Sequence, residues 1–320
     1  MVTTINFTKV ASEKMTNNNF QKNFLLPKYW GIWLAVFFLK TISYLPYHAK
    51  LNLGKWLGRL LLKFSKKRTK LAIINLENAF PKKTALEIDQ LAKQHFESLG
   101  ISLFESMLVW WGEHRTKNNC FEKTLVSYKN IAYLEEACAS KQGVIILVPH
   151  FTTTDIIGLF LSFKTSLFPV YRPHDNPLMD YLILKGRTLN NMTPISKYNT
   201  RAMIKTLKKG DNLGFLPDQK FNSKGHIKVP FFKKDAPSNP ATSKLAKITN
   251  CLILPTFLKR LDNGKYELTF YQPIYNFSTN NEYEETKRLH KLYETEITNN
   301  PAQYLWVHNR WSLKKQKELS

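Results

Sequence analysis

Val144-Ile-Ile-Leu-Val-Pro-His150-Phe-Thr-Thr-Thr-Asp155 joins an apolar, β-branched run to a histidine and then to a carboxylate. The run reads as a strand, and Pro149 ends it. His150 then sits at a strand end, and Asp155 sits where a helix begins. Such a pair can hold an imidazole with one nitrogen on the carboxylate and the other exposed to accept a proton. That is a general base for deprotonating a hydroxyl. The spacing alone is weak: with 8 histidines and 24 acids in 320 residues, chance supplies roughly 0.6 such matches. A buried core histidine and an ordinary helix-start acid are the competing readings, so the surroundings decide.

Strands and helices alternate around this stretch. Helical patterns cover 70–80, stopped by Pro81, and Thr84 to about Trp111, where Thr84 and Glu87 form a capping box. A strand near 124–128 and a helix near 130–140 precede the strand Val144–Val148. A helix over 153–163, a strand at 167–171, helices near 177–189 and 200–209 and a strand at 212–216 follow. An apolar piece at 227–232, a helix at 240–249, strands at 251–258 and 265–271, a helix at 282–297 and a strand near 303–307 complete the chain. The alternation predicts an α/β fold with a mostly parallel sheet flanked by helices. In such sheets a ligand binds beyond the carboxyl ends of the strands. His150, Arg172 and Asp218 each stand just past an apolar run.

The formal charge of +23 implies an anionic partner such as nucleic acid, an acidic membrane surface, a phosphorylated lipid or an acidic protein. Cys120, Cys138 and Cys251 are far apart and form no paired motif, which argues against a zinc site or disulfide framework. No cofactor or metal is expected. Residues 1–28 are polar and read as a flexible arm. Residues 29–64 read as a membrane anchor followed by a basic amphipathic helix, and 65–320 as the remaining domain. Tyr29–Leu45 is apolar but for Lys40, at the short limit for a spanning helix. Denser positive charge after it, from Lys50 to Lys70, puts the large C-terminal part in the cytoplasm. Leu53, Trp56, Leu57, Leu60, Leu61 and Phe64 make a helical stripe, suited either to anionic lipid or to packing on the core.

No G-x-S-x-G elbow occurs and no cysteine precedes a plausible base, so no covalent nucleophile is evident. A His150–Asp155 pair therefore suits direct attack by a substrate hydroxyl on an activated acyl or phosphoryl carrier. Arg172 offers a fork for a phosphate or an oxyanion. Asp218 could bind a substrate hydroxyl or orient Arg172. His174-Asp175 reads as a loop pair. Lys224, Lys228, Lys233 and Lys234 form a basic rim around Val229-Pro-Phe-Phe232 that would fit a phosphorylated amphiphile.

The chain resembles the late acyltransferases of lipid A biosynthesis, the lauroyl/myristoyl/palmitoleoyl transferase family. The resemblance runs from about Tyr29 through blocks in family order. These are Asn75-Leu-Glu-Asn-Ala-Phe-Pro81, the His150 block, Val170-Tyr-Arg172-Pro-His-Asp-Asn-Pro177, Met203-Ile-Lys-Thr-Leu-Lys-Lys-Gly210, Pro217-Asp218-Gln219, Val229-Pro-Phe-Phe232 and Tyr304-Leu-Trp-Val-His308-Asn-Arg310. The resemblance implies a glycerolipid-acyltransferase-like fold on the cytoplasmic face of a bacterial inner membrane. It implies an acidic acyl carrier protein as acyl donor. The implied acceptor is a hydroxyacyl chain on a phosphorylated lipid A precursor. By position His150 would be the base, Asp155 its partner, and Arg172 and Asp218 substrate-binding residues. Asp155 stands where the family often has Glu, and Asn309 where it often has a basic residue. A different acceptor lipid would suit the same scaffold. A non-catalytic basic membrane or nucleic-acid binder is the alternative of another class. No nucleic acid is expected, because the chain carries no RNA-binding or helix-turn-helix signature.

Overall fold

The computed structural model describes residues 20–110, 120–188, 191–221, 225–277 and 281–311. Most of the arm at 1–28, Trp111 and Lys224 lie outside the described residues.

Nine strands are seen among these residues: β1 (Val126–Lys129), β2 (Val144–Leu147), β3 (Leu167–Tyr171), β4 (Ile195–Ser196), β5 (Asn212–Phe215), β6 (Ile227–Phe231), β7 (Lys234–Ser238), β8 (Leu252–Arg260) and β9 (Tyr266–Phe270). Seven form one sheet in the order β1-β9-β8-β2-β5-β3-β4. Its neighbours run parallel except β8 and β9. The expected mostly parallel α/β architecture is what the chain adopts. In β2, Ile145 and Leu147 enter one core cluster while Val144 and Ile146 enter another. Both faces of the centre are thus buried, which is why its strands read as unbroken apolar runs.

One sequence expectation fails here, and one apolar piece gains a definite structure. The strand expected at 303–307 is a short 3-10 turn, Pro301–Gln303, followed by a single bridge from Tyr304 to Phe151. The apolar piece at 227–232 is half of a hairpin, with β6 antiparallel to β7. Its turn residues Phe232 and Lys233 have φ of 49° and 64°. Side chains rarely take that conformation, so the turn carries none of the usual Gly or Asn signal. The Phe232 amide donates to Glu294 Oε1 at 2.7 Å, which ties the strained turn to the helix Glu282–Asn299.

Three N-terminal helices, α1 (Trp30–Ser43), α2 (Tyr47–Phe64) and α3 (Lys66–Ala79), are linked to the sheet by the long helix α4 (Ala85–Trp110). Its expected capping box forms: the Thr84 amide donates to Glu87 Oε2 at 2.7 Å, and the Glu87 amide to Thr84 Oγ1 at 3.3 Å. Glu105 of α4 holds Arg260 of β8 in a buried two-pronged ion pair at 2.6 and 2.7 Å. Ser98 Oγ of α4 lies 2.7 Å from Thr152 Oγ1, beside His150.

The apolar segment from Tyr29, expected to anchor the chain in a membrane, is not seen as a spanning helix. Helix α1 (Trp30–Ser43) has 14 residues, about 21 Å at the rise of an α-helix and short of a hydrocarbon core of about 30 Å. Helix α2 (Tyr47–Phe64) begins directly after Pro46. Among the described residues no helix is long and apolar enough to cross a membrane. Trp30, Leu34, Phe37 and Phe38 of α1 are nonetheless exposed.

Helix α2 packs on α4 through glycines. A Cβ on Gly100 would lie 2.1 Å from the Gly54 carbonyl oxygen, and one on Gly58 would lie 2.1 Å from the Phe96 carbonyl oxygen. Backbone faces backbone there, so no side chain can yield. Gly100→Ala should therefore destabilise the protein by about 1–3 kcal/mol, although alanine is intrinsically better in a helix by roughly 1 kcal/mol. Denaturant unfolding checks this, and a stabilised Gly100→Ala protein would refute the close approach.

Candidate active site

The register of the sheet builds the site. β2 and β5 are parallel neighbours with Leu147 opposite Phe215. Three residues past each stand His150 and Asp218, so parallel strands bring them side by side. The Val148 amide still donates to the Phe215 carbonyl at 3.1 Å, which carries the pairing beyond the strands. His150 Nδ1 then lies 2.6 Å from Asp218 Oδ1, and the His150 amide donates to Asp218 Oδ2 at 3.0 Å. Tyr304 donates its hydroxyl to Asp218 Oδ2 at 3.1 Å.

The carboxylate beside the His150 imidazole is thus Asp218, not Asp155. Asp218 is 1 % exposed, which also sets it apart from the substrate-binding position expected of it. Burial alone would raise its pKa. The His150 charge and hydrogen bonds, with the Arg310 charge, outweigh burial and hold it below the ordinary value. Burial and the Asp218 charge push Tyr304 well up, so its hydroxyl remains a donor.

Asp155, in the first turn of the helix Thr154–Ser162, has other partners. Its Oδ1 accepts from Arg187 Nη2 at 2.9 Å and its Oδ2 from Ser106 Oγ of α4 at 2.7 Å. Arg187, on the helix Pro177–Thr188, carried no sequence signal: it follows no strand and belongs to no motif. Arg172 is 63 % exposed and pairs with Asp175 at 3.2 Å rather than with Asp218. His174 Nδ1 accepts the Asn176 amide at 3.0 Å, a loop role as expected.

His150 opens on a cavity of about 810 Å³. Arg172, Arg187, Lys197, Lys220 and Lys244 give it a basic lining, while Ile183, Met203, Leu245 and Ile248 give it apolar surface. This combination suits a ligand with both anionic groups and hydrocarbon. The basic rim expected around Val229–Phe232 is elsewhere: Lys228, Lys233 and Lys234 are exposed and do not line the cavity.

The closing segment underlies the site. The Leu305 amide donates to the His150 carbonyl at 3.0 Å. His308 Nε2 accepts the Lys220 amide at 3.1 Å and so braces the loop that carries Asp218. Asn75 Nδ2 donates to the carbonyls of Trp306 and His308 at 2.6 and 2.7 Å, which joins the Asn75 block to the closing block.

The family model for bacterial lipid A biosynthesis acyltransferases matches residues 17–313. The chain belongs to this family. It is 30 % identical over 304 residues to the lipid A biosynthesis palmitoleoyltransferase of Escherichia coli K12, covering 94 % of this chain and 97 % of that one. It is 29 % identical over 306 residues to the lauroyltransferase of the same organism, covering 94 % and 98 %. A lipid A biosynthesis acyltransferase of Haemophilus influenzae is 28 % identical over 305 residues, covering 93 % and 96 %. The protein is therefore an acyltransferase of lipid A biosynthesis, as the resemblance implied.

Proposed function

We propose that this acyltransferase moves a fatty acyl chain from acyl carrier protein to a hydroxyl of a hydroxyacyl chain on a lipid A precursor. The observation that carries the mechanism is the 2.6 Å contact of His150 Nδ1 with buried Asp218, at the edge of a basic and partly apolar cavity. With its Nδ1–H donated to Asp218, the imidazole keeps Nε2 as the acceptor nitrogen. Nε2 takes the proton of the acceptor hydroxyl as that oxygen attacks the thioester carbonyl. Collapse of the tetrahedral intermediate breaks the carbon–sulfur bond, and the departing thiolate takes the proton back from Nε2. No acyl-enzyme forms. Asp218 stabilises the imidazolium at the intervening stage.

Asp155, itself held by the Ser106 hydroxyl, supports the reaction by orienting Arg187. Arg187, Arg172 and the cavity lysines bind the phosphates of the acceptor. Arg172 remains a substrate-binding residue in this reading, and its exposure at the cavity fits that role.

The enzyme works on the cytoplasmic face of the bacterial inner membrane. Exposed Trp30, Leu34, Phe37 and Phe38 on α1 support an anchor that lies in the interface. Exposed Trp56, Leu61 and Phe64 on α2, interleaved with Lys55 and Lys63, support the same seating. The arm at 1–28 precedes this anchor, and 65–320 carries the catalysis.

Mass spectrometry of lipid A from a strain lacking this chain tests the function. The expected result is loss of one acyl mass from lipid A, restored by the wild-type chain. Unchanged lipid A with a missing acyl group on another lipid would overturn the acceptor assignment.

A further inference from the structure

The closing segment is zipped onto the turn that carries the base. The Thr152 amide donates to the Gln303 carbonyl at 2.7 Å, and the Leu305 amide to the His150 carbonyl at 3.0 Å. Tyr304, between them, makes the antiparallel bridge to Phe151. The Gln303 side chain fastens this segment to the end of β8. Its Oε1 accepts the Arg260 amide at 2.9 Å, and its Nε2 donates to the Arg260 carbonyl at 2.8 Å. The Tyr304 ring is buried and meets Phe151 and Trp306 edge to face, with ring centres 5.9 and 4.9 Å away. It does not line the cavity. A ring held on two sides brings its hydroxyl to a fixed point, and that point is Asp218 Oδ2, 3.1 Å away.

An aspartate carboxylate turns readily, because its last torsion is broad and roughly two-fold. Without restraint Asp218 would meet the imidazole at many angles. Its Oδ2 accepts two donors, the His150 amide at 3.0 Å and the Tyr304 hydroxyl at 3.1 Å. That leaves Oδ1 for Nδ1 of His150 at 2.6 Å. The two donors come from the two sides of the zipped pair, one from the turn of the base and one from the closing segment. The carboxylate cannot rotate without losing both. Burial and the Asp218 charge keep the phenol protonated, so it remains a donor. Tyr293 offers the contrast: it is buried as well, yet its hydroxyl has no hydrogen-bond partner among the described residues.

We propose that Tyr304 is a positioning residue for acyl transfer. Its hydroxyl fixes the Asp218 carboxylate, which in turn aims Nε2 of His150 at the acceptor hydroxyl. The inference rests on the reading of His150 as the base in acyl transfer.

The test uses the purified full chain in detergent, with Tyr304→Phe, Tyr293→Phe, Asp218→Asn and a fluorotyrosine in place of Tyr304, each checked for folding by circular dichroism and thermal unfolding. The first readout needs no acyl transfer: the proton NMR signal of His150 Nδ1–H, identified by its loss in His150→Ala, is compared across the variants. It should shift in Tyr304→Phe, shift the opposite way with fluorotyrosine, whose hydroxyl is the stronger donor, and stay in place in Tyr293→Phe. The second readout separates kcat from KM with acyl carrier protein thioester and lipid A precursor. In Tyr304→Phe kcat should fall about tenfold while both KM values stay within about twofold, because the base is misaimed and the ring lies outside the cavity. Tyr293→Phe should keep both constants. In the Asp218→Asn background Tyr304→Phe should cost no more than about twofold further, because both act through one carboxylate. An unmoved His150 signal in folded Tyr304→Phe overturns the proposal, as does a kcat equal to that of Tyr293→Phe or full multiplication of the two losses. The fluorotyrosine protein keeps the ring and decides the question if Tyr304→Phe fails to fold. Absence of acyl transfer by the wild type would sink the functional reading instead, while the His150 signal would still decide whether Tyr304 acts on the dyad.

Discussion

Replacing His150 by Ala is expected to lower the rate of lipid A acylation by roughly 10²–10⁴, the usual worth of general-base catalysis. Asp218→Asn should fall by a comparable order. An amide at Asp218 can no longer accept the Nδ1 proton as an anion, and it leaves the imidazolium without its buried counter-charge. Asp155→Asn should act differently. Asp155 meets Arg187 and Ser106, not the imidazole, so its loss should raise KM for the phosphorylated acceptor more than it lowers kcat. Steady-state kinetics with purified acceptor and acyl carrier protein thioester separate the three. A kcat for Asp155→Asn as low as that of His150→Ala, with near-normal Asp218→Asn, would return the partnership to the His-x4-Asp pair.

The second large effect is on stability. The pKa values of His95, His290 and His308 are pushed down to about 4: burial is the largest cause for each, and for His308 the charge of His150 comes next. In the unfolded chain each would titrate near 6.5. Between these values the unfolded state binds more protons, so stability falls as pH falls. By about pH 5 the loss is on the order of 2 kcal/mol per histidine, a large part of the roughly 5–15 kcal/mol that holds a protein folded. Asp218 adds in the same direction: its lowered pKa contributes stability above the unfolded value that is lost as pH falls through the folded one. Glu294, raised chiefly by burial, opposes them weakly. Denaturant titrations at pH 7.5, 6 and 5 should show a steep decline, with the melting temperature falling alongside. Constant stability from pH 7.5 to 5 would contradict the burial of neutral imidazoles beneath the site.

The mostly parallel α/β architecture was legible because buried parallel strands are continuous apolar runs. Val144–Leu147 and Asn212–Phe215 each end in a proline and a chemically equipped residue, and the structure places His150 and Asp218 there. The partnership was not legible. A spacing motif sees the carboxylate five positions away, whereas sheet adjacency brings in one 68 positions away. Only the knowledge that β2 lies beside β5 reveals it. Arg187 was hidden because an arginine in the last turn of a helix reads as an ordinary complement to the helix end, and Tyr304 because its role comes from long-range packing. The closing segment looked like a strand, yet Tyr304 spends its side chain on Asp218 and makes only one bridge. The hairpin was missed because Phe232-Lys233 is an improbable turn, held by Glu294 from a distant helix. The apolar run at Tyr29 suggested a span, but the helix ends at Ser43 and a new one starts after Pro46, so hydropathy overstated its length.

The most direct measurement is a single-turnover reaction of the purified chain with acyl carrier protein thioester and lipid A precursor, followed by mass spectrometry of lipid and protein together. The account requires that the lipid gain one acyl mass, that the protein carry none at any time, and that His150→Ala abolish the gain. An acylated protein intermediate, or normal lipid acylation by His150→Ala, would contradict it.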